Sequence, residues 1–394
     1  MRSVTAAVAQ IRSIWDREGD PIPPGVALVV SAIYLVVVLA RFPVLVSSPR
    51  FWAEEGSIYF QSAHDRGFAS IFEPHVGYFA LFPNVSTWLA THVPLAAAPI
   101  MTLVLSALAQ LLSAWLAMRS RSALLPNVAK VVIVVALILS PTATSELWLN
   151  TVNSQSFFQI AAFLILLEPR LRWQHLAVLV LVFLSAPSAV FLGGFFFLRA
   201  LIQKSKSSWV AAGIWTACLA VQLSSWRPGS RVSAGPDVWV LSALRENFGR
   251  AWIYNLDDGS VLSVGVMVLV LLVVIFAATK LRGAWFLGVA AFSVAFLNAA
   301  FALGGGSGPR YAFGPALMML VVVLASLSSG FRLGFLSGVS AALVAVMLIG
   351  GSVAFHNAGY WASASWPGWR DQVVSGRKVI VIPPGGGWQV VLKH

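Results

Sequence analysis

The chain has 394 residues, of which 58% are hydrophobic and only 10% are charged, and its formal net charge is +12. Soluble domains carry about a quarter charged residues, so this composition excludes a soluble globular protein and indicates a polytopic membrane protein. The basic residues stand in short clusters between apolar runs, which is typical of topology signals and not of a nucleic-acid-binding surface. A single cysteine, Cys218, excludes an intramolecular disulfide.

The amino-terminal part predicts a cytoplasmic start and a retained first span. Residues 1–25 contain Arg2, Arg12 and Arg17 and end in a proline-rich stretch. The apolar run 26–46 follows and lacks a small-residue cleavage pattern, so we expect it to be a transmembrane helix and not a removed signal peptide. Residues 47–92 then form a first outer loop. Partly helical periodicity in residues 57–63 predicts interfacial helices within it.

The apolar runs along the whole chain predict one all-α membrane domain, residues 1–394, with about eleven membrane spans. The expected spans are 26–46, 94–118, 131–141, 154–167, two short helices within 176–200, and then 209–224, 261–279, 284–303, 312–327 and 333–355. The two remaining outer segments are a loop, 226–260, and a small carboxy-terminal tail, 356–394.

The stretch 176–200 decides the orientation of everything after it. As one straight helix it would be about 37 Å long, which a tilted span could accommodate. The break at residues 184–188, which contains Pro187, favours two short helices that turn at membrane depth. A single span there would give ten crossings and a cytoplasmic tail, and counts of Lys and Arg in the second half favour that alternative. The dense cluster of Lys204 and Lys206 favours eleven.

Two neighbouring carboxylates, Glu54 and Glu55, stand between aromatic residues directly after the first span. Charged groups near a bilayer are costly and indicate a functional site. On a helix the two side chains diverge by about 100°, so one would act as a general base and the other would orient or pair with it.

Two arginine motifs could bind an anion. Arg310, followed by Tyr311, opens a span from the outer side, where a guanidinium can bind a phosphate at headgroup depth. Snorkelling of a helix-end arginine explains the same pattern equally well. Arg227 and Arg231 form a second candidate anion site with the same alternative.

Neither metal-ligand spacing nor a nucleotide-binding motif is present. His64 and His75 could join a glutamate around a divalent metal, but their spacing matches no ligand motif, and ordinary loop histidines are the better interpretation. Asp257 and Asp258 are better explained as the cap of the following helix.

Residues 53–56, Ala-Glu-Glu-Gly, resemble the acidic motif of the glycosyltransferase C superfamily, which is often Ala-Glu-Asp-Gly in the first outer loop. The resemblance continues through residues 145–155, the break at Ser185–Ser188, residues 309–311, and residues 366–370 and 383–388 in the tail. It covers most of the chain, although each motif is short. The family's aspartate position is Glu55 here, and this departure leaves open whether Glu54 or Glu55 is the base.

The resemblance implies an inverting glycosyltransferase of the bacterial inner membrane, active on the periplasmic face. Its donor would be a polyprenyl-phosphate sugar that enters from the membrane lipids, and its acceptor a lipid or glycan. Glu55 would be the base, Glu54 its partner, and Arg310 the residue that holds the donor phosphate. The expected substrate-binding residues are Tyr59, His75, Glu146, Asn150 and Asn153. Some relatives use a divalent metal and others do not, so no cofactor is assigned.

A transporter or flippase of a lipid-linked sugar is the alternative of a different class. Broken helices near the membrane midplane fit it equally well. A transporter needs acidic residues within its spans, and the predicted spans contain almost none. The position of the carboxylates therefore favours the enzyme.

Overall fold

A computed structural model describes residues 8–75, 77–227, 244–254, 261–280, 285–300, 309–328, 335–357, 368–384 and 387–392. Helices make up most of this part of the chain. They are α1 (Pro24–Arg41), α2 (Pro43–Ser47), α3 (Gln61–Arg66), α4 (Leu81–Ala90), α5 (Ala98–Arg119), α6 (Asn127–Leu139), α7 (Gln155–Leu167), α8 (Trp173–Ser185), α9 (Gly193–Gln203), α10 (Lys206–Ser225), α11 (Val261–Lys280), α12 (Trp285–Ala300), α13 (Pro309–Ser328), α14 (Phe335–Asn357) and α15 (Trp369–Val374). Two short strands, β1 (Val379–Val381) and β2 (Gln389–Val391), pair antiparallel in the tail.

The lengths and surfaces of the helices identify a membrane-embedded protein. In the described chain, 4 helices are long and apolar enough to cross a bilayer: Pro24–Arg41, Leu95–Arg119, Arg310–Ser328 and Ser337–Asn357. On α1, Val29, Ile33 and Val36 are each more than half exposed. Exposed aliphatic rows of this kind are stable when hydrocarbon surrounds them and costly in water. Several shorter apolar helices pack around the long ones, and the number of crossings stays a prediction.

Helix α13 lies at the centre of the bundle, packed against α6, α7, α11, α12 and α14. Its side chains from Ala312 to Ala325 are buried, as expected for a helix that is apolar on all sides. A polar contact fixes its first turn: Asn298 Nδ2 on α12 donates to the Tyr311 carbonyl at 2.8 Å and to Gln159 Oε1 at 3.2 Å. Gln159 on α7 in turn donates to Asn298 Oδ1 and to the Ser188 hydroxyl. The opening of α13 is therefore tied to three other parts of the bundle.

The predicted break in the stretch 176–200 is confirmed. Helices α8 and α9 flank a 3₁₀ turn, Pro187–Leu192. Arg199, near the end of α9, donates to the carbonyls of Leu166 at 3.1 Å, in the last turn of α7, and of Pro169 at 3.2 Å, in the loop that leads to α8. Helix α9 therefore returns to the level at which α8 started. With 13 and 11 residues, the two helices are about 20 Å and 17 Å long, shorter than the hydrocarbon core of about 30 Å.

One predicted span needs correction, and the structure adds detail to two predicted outer segments. The predicted span 26–46 is two helices, because Pro43 lacks an N–H and disfavours helix at Phe42, so α1 ends at Arg41. Within the predicted outer loop 226–260, the described residues 244–254 pack against α11 and α13, with Phe248, Ala251 and Trp252 buried; the outer position of the loop stays a prediction. The mostly helical chain agrees with the predicted all-α class, and its tail adds one small β-hairpin, whose β-branched valines and isoleucine favour strands.

The helix ends define two faces of the bundle. We call the face that carries Arg199, Lys204, Glu18 and Arg121 the basic face; there Glu18 forms ion pairs with Arg121 and Arg170. We call the opposite face, which carries Glu55 and the tail, the site face. The tail is fixed there because Trp369 Nε1 donates to the Leu95 carbonyl at 2.8 Å, just before α5 begins.

Candidate active site

The chain turns sharply as it enters the acidic segment of the first loop. Ala53 has a φ of 37°, which is unusual for a residue with a side chain and is typical of strained functional segments. Its N–H donates to the Pro383 carbonyl of the tail at 2.7 Å. A π-helical turn, Glu55–Phe60, follows directly. Turns of this type are rare and are found frequently at functional sites.

The carboxy-terminal tail packs directly against this π-helical turn. Phe51 stacks on Phe60 with ring centroids 4.4 Å apart, and Trp369 packs edge-on against both rings. A Cβ on Gly56 would lie 2.5 Å from Ile382 Cδ1 and 2.9 Å from Phe51 Cβ, so glycine allows the tail and Phe51 to pack closely on this turn. The Gln61 side-chain amide pairs with the backbone of Val391, donating to its carbonyl and accepting from its N–H. The tail thereby holds the acidic turn in place.

Glu55 is the buried carboxylate of the site, with only 2% of its surface exposed. Its Oε1 accepts two hydrogen bonds from Thr151, one from the hydroxyl at 2.6 Å and one from the N–H at 2.9 Å. Its Oε2 accepts from the Trp52 N–H at 3.3 Å. The carboxylate is therefore oriented by residues on both the first loop and the segment before α7.

Burial raises the pKa of Glu55 to about 7, although the hydrogen bonds from Thr151 and Trp52 lower it. A carboxyl group with this pKa is ionised in a large fraction of molecules at neutral pH and is still basic enough to accept a proton. A pKa near the working pH is the optimum for a general base. Glu54, its neighbour, is half-buried and forms no hydrogen bond with the described residues.

The segment before α7 is held together by its own side chains. Asn153 Nδ2 donates to the Glu146 carbonyl at 2.7 Å. Asn150 Oδ1 accepts from the N–H groups of Val152 at 2.9 Å and Asn153 at 3.3 Å. We call residues 145–153 the asparagine segment. It presents Thr151 to Glu55 and carries Glu146 a few residues away.

Arg310 lies in the first turn of α13 and forms an ion pair with Glu146. Its Nη2 also donates to the Tyr311 hydroxyl at 3.2 Å, and the guanidinium lies 5.0 Å from the centre of the Tyr311 ring. The side chains of Arg310 and Glu146 are 29% and 17% exposed, so solvent and solutes reach this pair. The arginine that the sequence assigned to a phosphate is thus present at the site face, held by a carboxylate.

A second polar group lies beside the acidic turn. Tyr59 packs edge-on against His75 with ring centroids 4.9 Å apart. Burial lowers the pKa of His75, while the nearby Glu73 raises it and Arg66 lowers it; the net shift is downward and favours the neutral imidazole. Glu73 accepts from Ser62 at 2.6 Å and pairs with Arg66. This group contacts the asparagine segment through Val152, which packs against the Tyr59 cluster.

The structure brings together most of the residues that the sequence singled out. Glu55, Glu146, Asn150, Asn153 and Arg310 form one connected set around the asparagine segment, and Tyr59 and His75 adjoin it. Arg227 is exposed at the end of α10, and Arg231 lies outside the described residues, as do Asp257 and Asp258. Within the described chain, no group of three His, Cys, Asp or Glu side chains is placed to hold a metal ion.

Sequence reasoning missed two residues. Thr151 binds the central carboxylate, and its position between Asn150 and Asn153 was the available signal. Glu246 is 3% exposed and lies on a second π-helical turn, Arg245–Arg250. Its Oε1 accepts from Arg250 at 3.0 Å, while its Oε2 is buried without a hydrogen-bond partner.

No family model, no curated protein and no solved structure matches this chain.

Proposed function

We propose that this protein is a membrane glycosyltransferase that moves a sugar from a polyprenyl-phosphate donor to a lipid-linked glycan or glycolipid acceptor. The observation that carries the proposal is the buried, oriented Glu55 carboxylate with a pKa of about 7 at one face of a membrane-embedded bundle. The resemblance of residues 53–56 to the acidic motif of the glycosyltransferase C superfamily supports it.

In the proposed reaction Glu55 removes the proton of an acceptor hydroxyl as that oxygen attacks the anomeric carbon of the donor sugar. The new bond between oxygen and carbon forms on the side opposite the phosphate. The old carbon–oxygen bond breaks, and its electron pair leaves with the polyprenyl phosphate. The configuration at the anomeric carbon is inverted, and Glu55 carries the acceptor's proton. Arg310 binds the phosphate, whose negative charge increases as it leaves.

We place the site on the extracytoplasmic side of a bacterial inner membrane. The clusters of basic residues on the basic face support this orientation, because positive residues favour the cytoplasm. With a cytoplasmic amino terminus, an odd number of crossings puts the carboxy-terminal tail on the same side of the membrane as the loop after the first helix. The predicted number, eleven, therefore agrees with the packing of the tail on that loop. The return of α9 to the level at which α8 begins supports the same number.

The test is transfer of radiolabelled sugar from polyprenyl-phosphate donors in membranes that contain the protein. Glu55→Gln keeps the size of the side chain and removes the base, so we expect loss of at least 100-fold in transfer, on the order of what general-base catalysis contributes. Glu54→Gln is measured alongside it, because the sequence left open which glutamate is the base, and it should retain more activity than Glu55→Gln. Unchanged transfer in Glu55→Gln, with normal protein levels, would refute the proposal.

A second candidate is a transporter or flippase of a lipid-linked sugar. The observation that favours it is Glu246, a buried carboxylate among the helices. Phe248 on the same turn packs on Phe292 of α12 with ring centroids 5.1 Å apart. Acidic residues at such positions are typical of proton-coupled carriers. A carrier would move labelled sugar across the bilayer without forming a new covalent product.

A further inference from the structure

The ion pair between Glu146 and Arg310 occupies the position that an anionic substrate needs. Arg310 is the arginine placed in the first turn of α13 at the site face, and Glu146 is the acidic side chain that contacts it in the described chain. A carboxylate and a phosphate oxygen bind a guanidinium through the same charge-assisted hydrogen bonds. Glu146 therefore stands where the phosphate of a lipid-linked donor would bind.

Hydrogen bonds hold the backbone of Glu146 in place, while its side chain can rotate away from Arg310. Its carbonyl accepts from Asn153 at 2.7 Å and from Asn150 at 3.5 Å, which holds the main chain of the asparagine segment. Among the described residues Arg310 is the cation that its carboxylate contacts, and both side chains are partly exposed. Solvent reaches both side chains and weakens the attraction between them. A rotation of the Glu146 side chain is therefore enough to free Arg310.

We propose that Glu146 is an internal competitor that the donor phosphate displaces from Arg310. This inference rests on the proposed function and identifies what occupies the phosphate position in the empty enzyme. Exchange of one anion for another leaves Arg310 paired throughout, so the guanidinium is never left without a counter-charge. Since the carboxylate returns to the same position, it also assists departure of the polyprenyl phosphate after transfer. Glu146 is thus a positioning residue that sets the affinity for lipid phosphate.

Replacement of Glu146 changes phosphate binding in opposite directions if Glu146 competes with phosphate and if it has only a structural role. If Glu146 competes with phosphate, Glu146→Gln removes the competition and binding becomes tighter. If Glu146 instead holds Arg310 in its working position, the same change weakens binding. The glutamine variant is isosteric and can still hydrogen-bond Arg310, so the fold is expected to persist.

The probe is a short-chain prenyl phosphate without sugar, and binding is measured to purified, detergent-solubilised full-length protein. We expect Glu146→Gln to bind it about fivefold more tightly than wild type, the size of a partly exposed ion pair. Arg310→Gln should weaken binding, and the gain from Glu146→Gln should vanish in the double variant, because the two residues act through one contact. Glu18→Gln, which removes an ion-paired carboxylate on the basic face, is the control and should bind as wild type does.

Equal or weaker binding by Glu146→Gln would overturn the proposal, as would a gain that persists in the double variant. In transfer assays Glu146→Gln should lower KM for the donor and increase inhibition by free prenyl phosphate. The binding measurement does not need sugar transfer. If the binding order holds but wild type transfers no sugar, the anion exchange stands and the proposed enzyme function fails. If transfer occurs without tighter binding by Glu146→Gln, only the exchange fails.

Discussion

At the scale of single residues, the central feature is the Glu55 carboxyl group, whose pKa is shifted in opposite directions by burial and by hydrogen bonds. Burial alone favours the neutral form of Glu55, and the three hydrogen bonds it accepts favour the ionised form. The balance raises its pKa to about 7. Neither effect can be removed without changing the proportion of ionised Glu55 at neutral pH, which makes the residue sensitive to its immediate neighbours.

The first prediction concerns Thr151. In the proposed reaction the ionised form of Glu55 accepts the proton, so activity of the wild type should rise with pH through about 7. Thr151→Val removes the hydroxyl that binds the carboxylate at 2.6 Å, so the pKa should rise and the activity curve should move upward by about one pH unit. Thr151→Ser keeps the hydroxyl and should leave the curve in place. Identical profiles in all three proteins would contradict the assignment of Thr151 as the residue that tunes the base.

The sequence indicates some of these residues and not others. Glu55 is predictable because a carboxylate directly after an apolar span is conspicuous. The contact of Glu55 with Thr151 is not, since it joins residues far apart in the chain, and single-sequence patterns carry no information on such pairs. The pairing of Arg310 with Glu146 was missed for the same reason, although both residues were singled out separately.

At the scale of elements, the acidic turn depends on the tail. Phe51, Phe60 and Trp369 form an aromatic cluster with Ile380, Ile382 and Val390 of the hairpin. The Gln372 side chain hydrogen-bonds to the backbone of Val381 on β1, and the Gln61 side chain to the backbone of Val391 on β2. One glutamine side chain thus occupies backbone groups on the free edge of each strand. Covered edges of this kind prevent further strand pairing.

The second prediction tests this dependence. In Gly56→Ala the new Cβ would lie 2.5 Å from Ile382 Cδ1 and 2.9 Å from Phe51 Cβ, so the Ile382 side chain and Phe51 must shift. Overpacking of this kind costs about 1–3 kcal/mol, and transfer should fall because the turn that carries Glu55 shifts. Gly213→Ala is the matched control, because a Cβ there meets no atom within 4 Å. Thermal unfolding and transfer that are equal in the two variants would contradict the packing described.

The break between α8 and α9 could be predicted because Pro187 interrupts an apolar run that is long for one span. The π-helical turns could not, because no residue pattern distinguishes them from ordinary helix. The end of α1 at Arg41 was in principle readable from Pro43, but the apolar character of the residues that follow concealed it.

At the scale of the whole molecule, composition identifies the class and says little about the arrangement. Lipid-facing and buried helices are both apolar in sequence, so the central position of α13 and the outer position of α1 emerge only from the packing. The two faces follow from contacts at the helix ends, which single-sequence reasoning can approximate through charge clusters alone.

The third prediction tests the assignment of the two faces. With Cys218 replaced by Ala, single cysteines are introduced at exposed positions: Ala69→Cys in the first loop, Ser375→Cys in the tail and Lys206→Cys on the basic face. A membrane-impermeant maleimide should label positions 69 and 375 in spheroplasts, and position 206 only after the membrane is opened. Labelling of positions 69 and 375 from opposite sides of the membrane would contradict the assignment of the first loop and the tail to one face.

The most direct test of the central claim uses purified protein reconstituted in vesicles with a polyprenyl-phosphate sugar and a glycolipid acceptor. The amounts of free polyprenyl phosphate and of glycosylated acceptor are measured together, in the wild type and in Glu55→Gln. We predict equimolar appearance of both products with inverted anomeric configuration in the wild type, and neither product in Glu55→Gln. Sugar that reaches the opposite leaflet still attached to its phosphate, with no glycosylated product, would contradict the enzyme and favour the carrier.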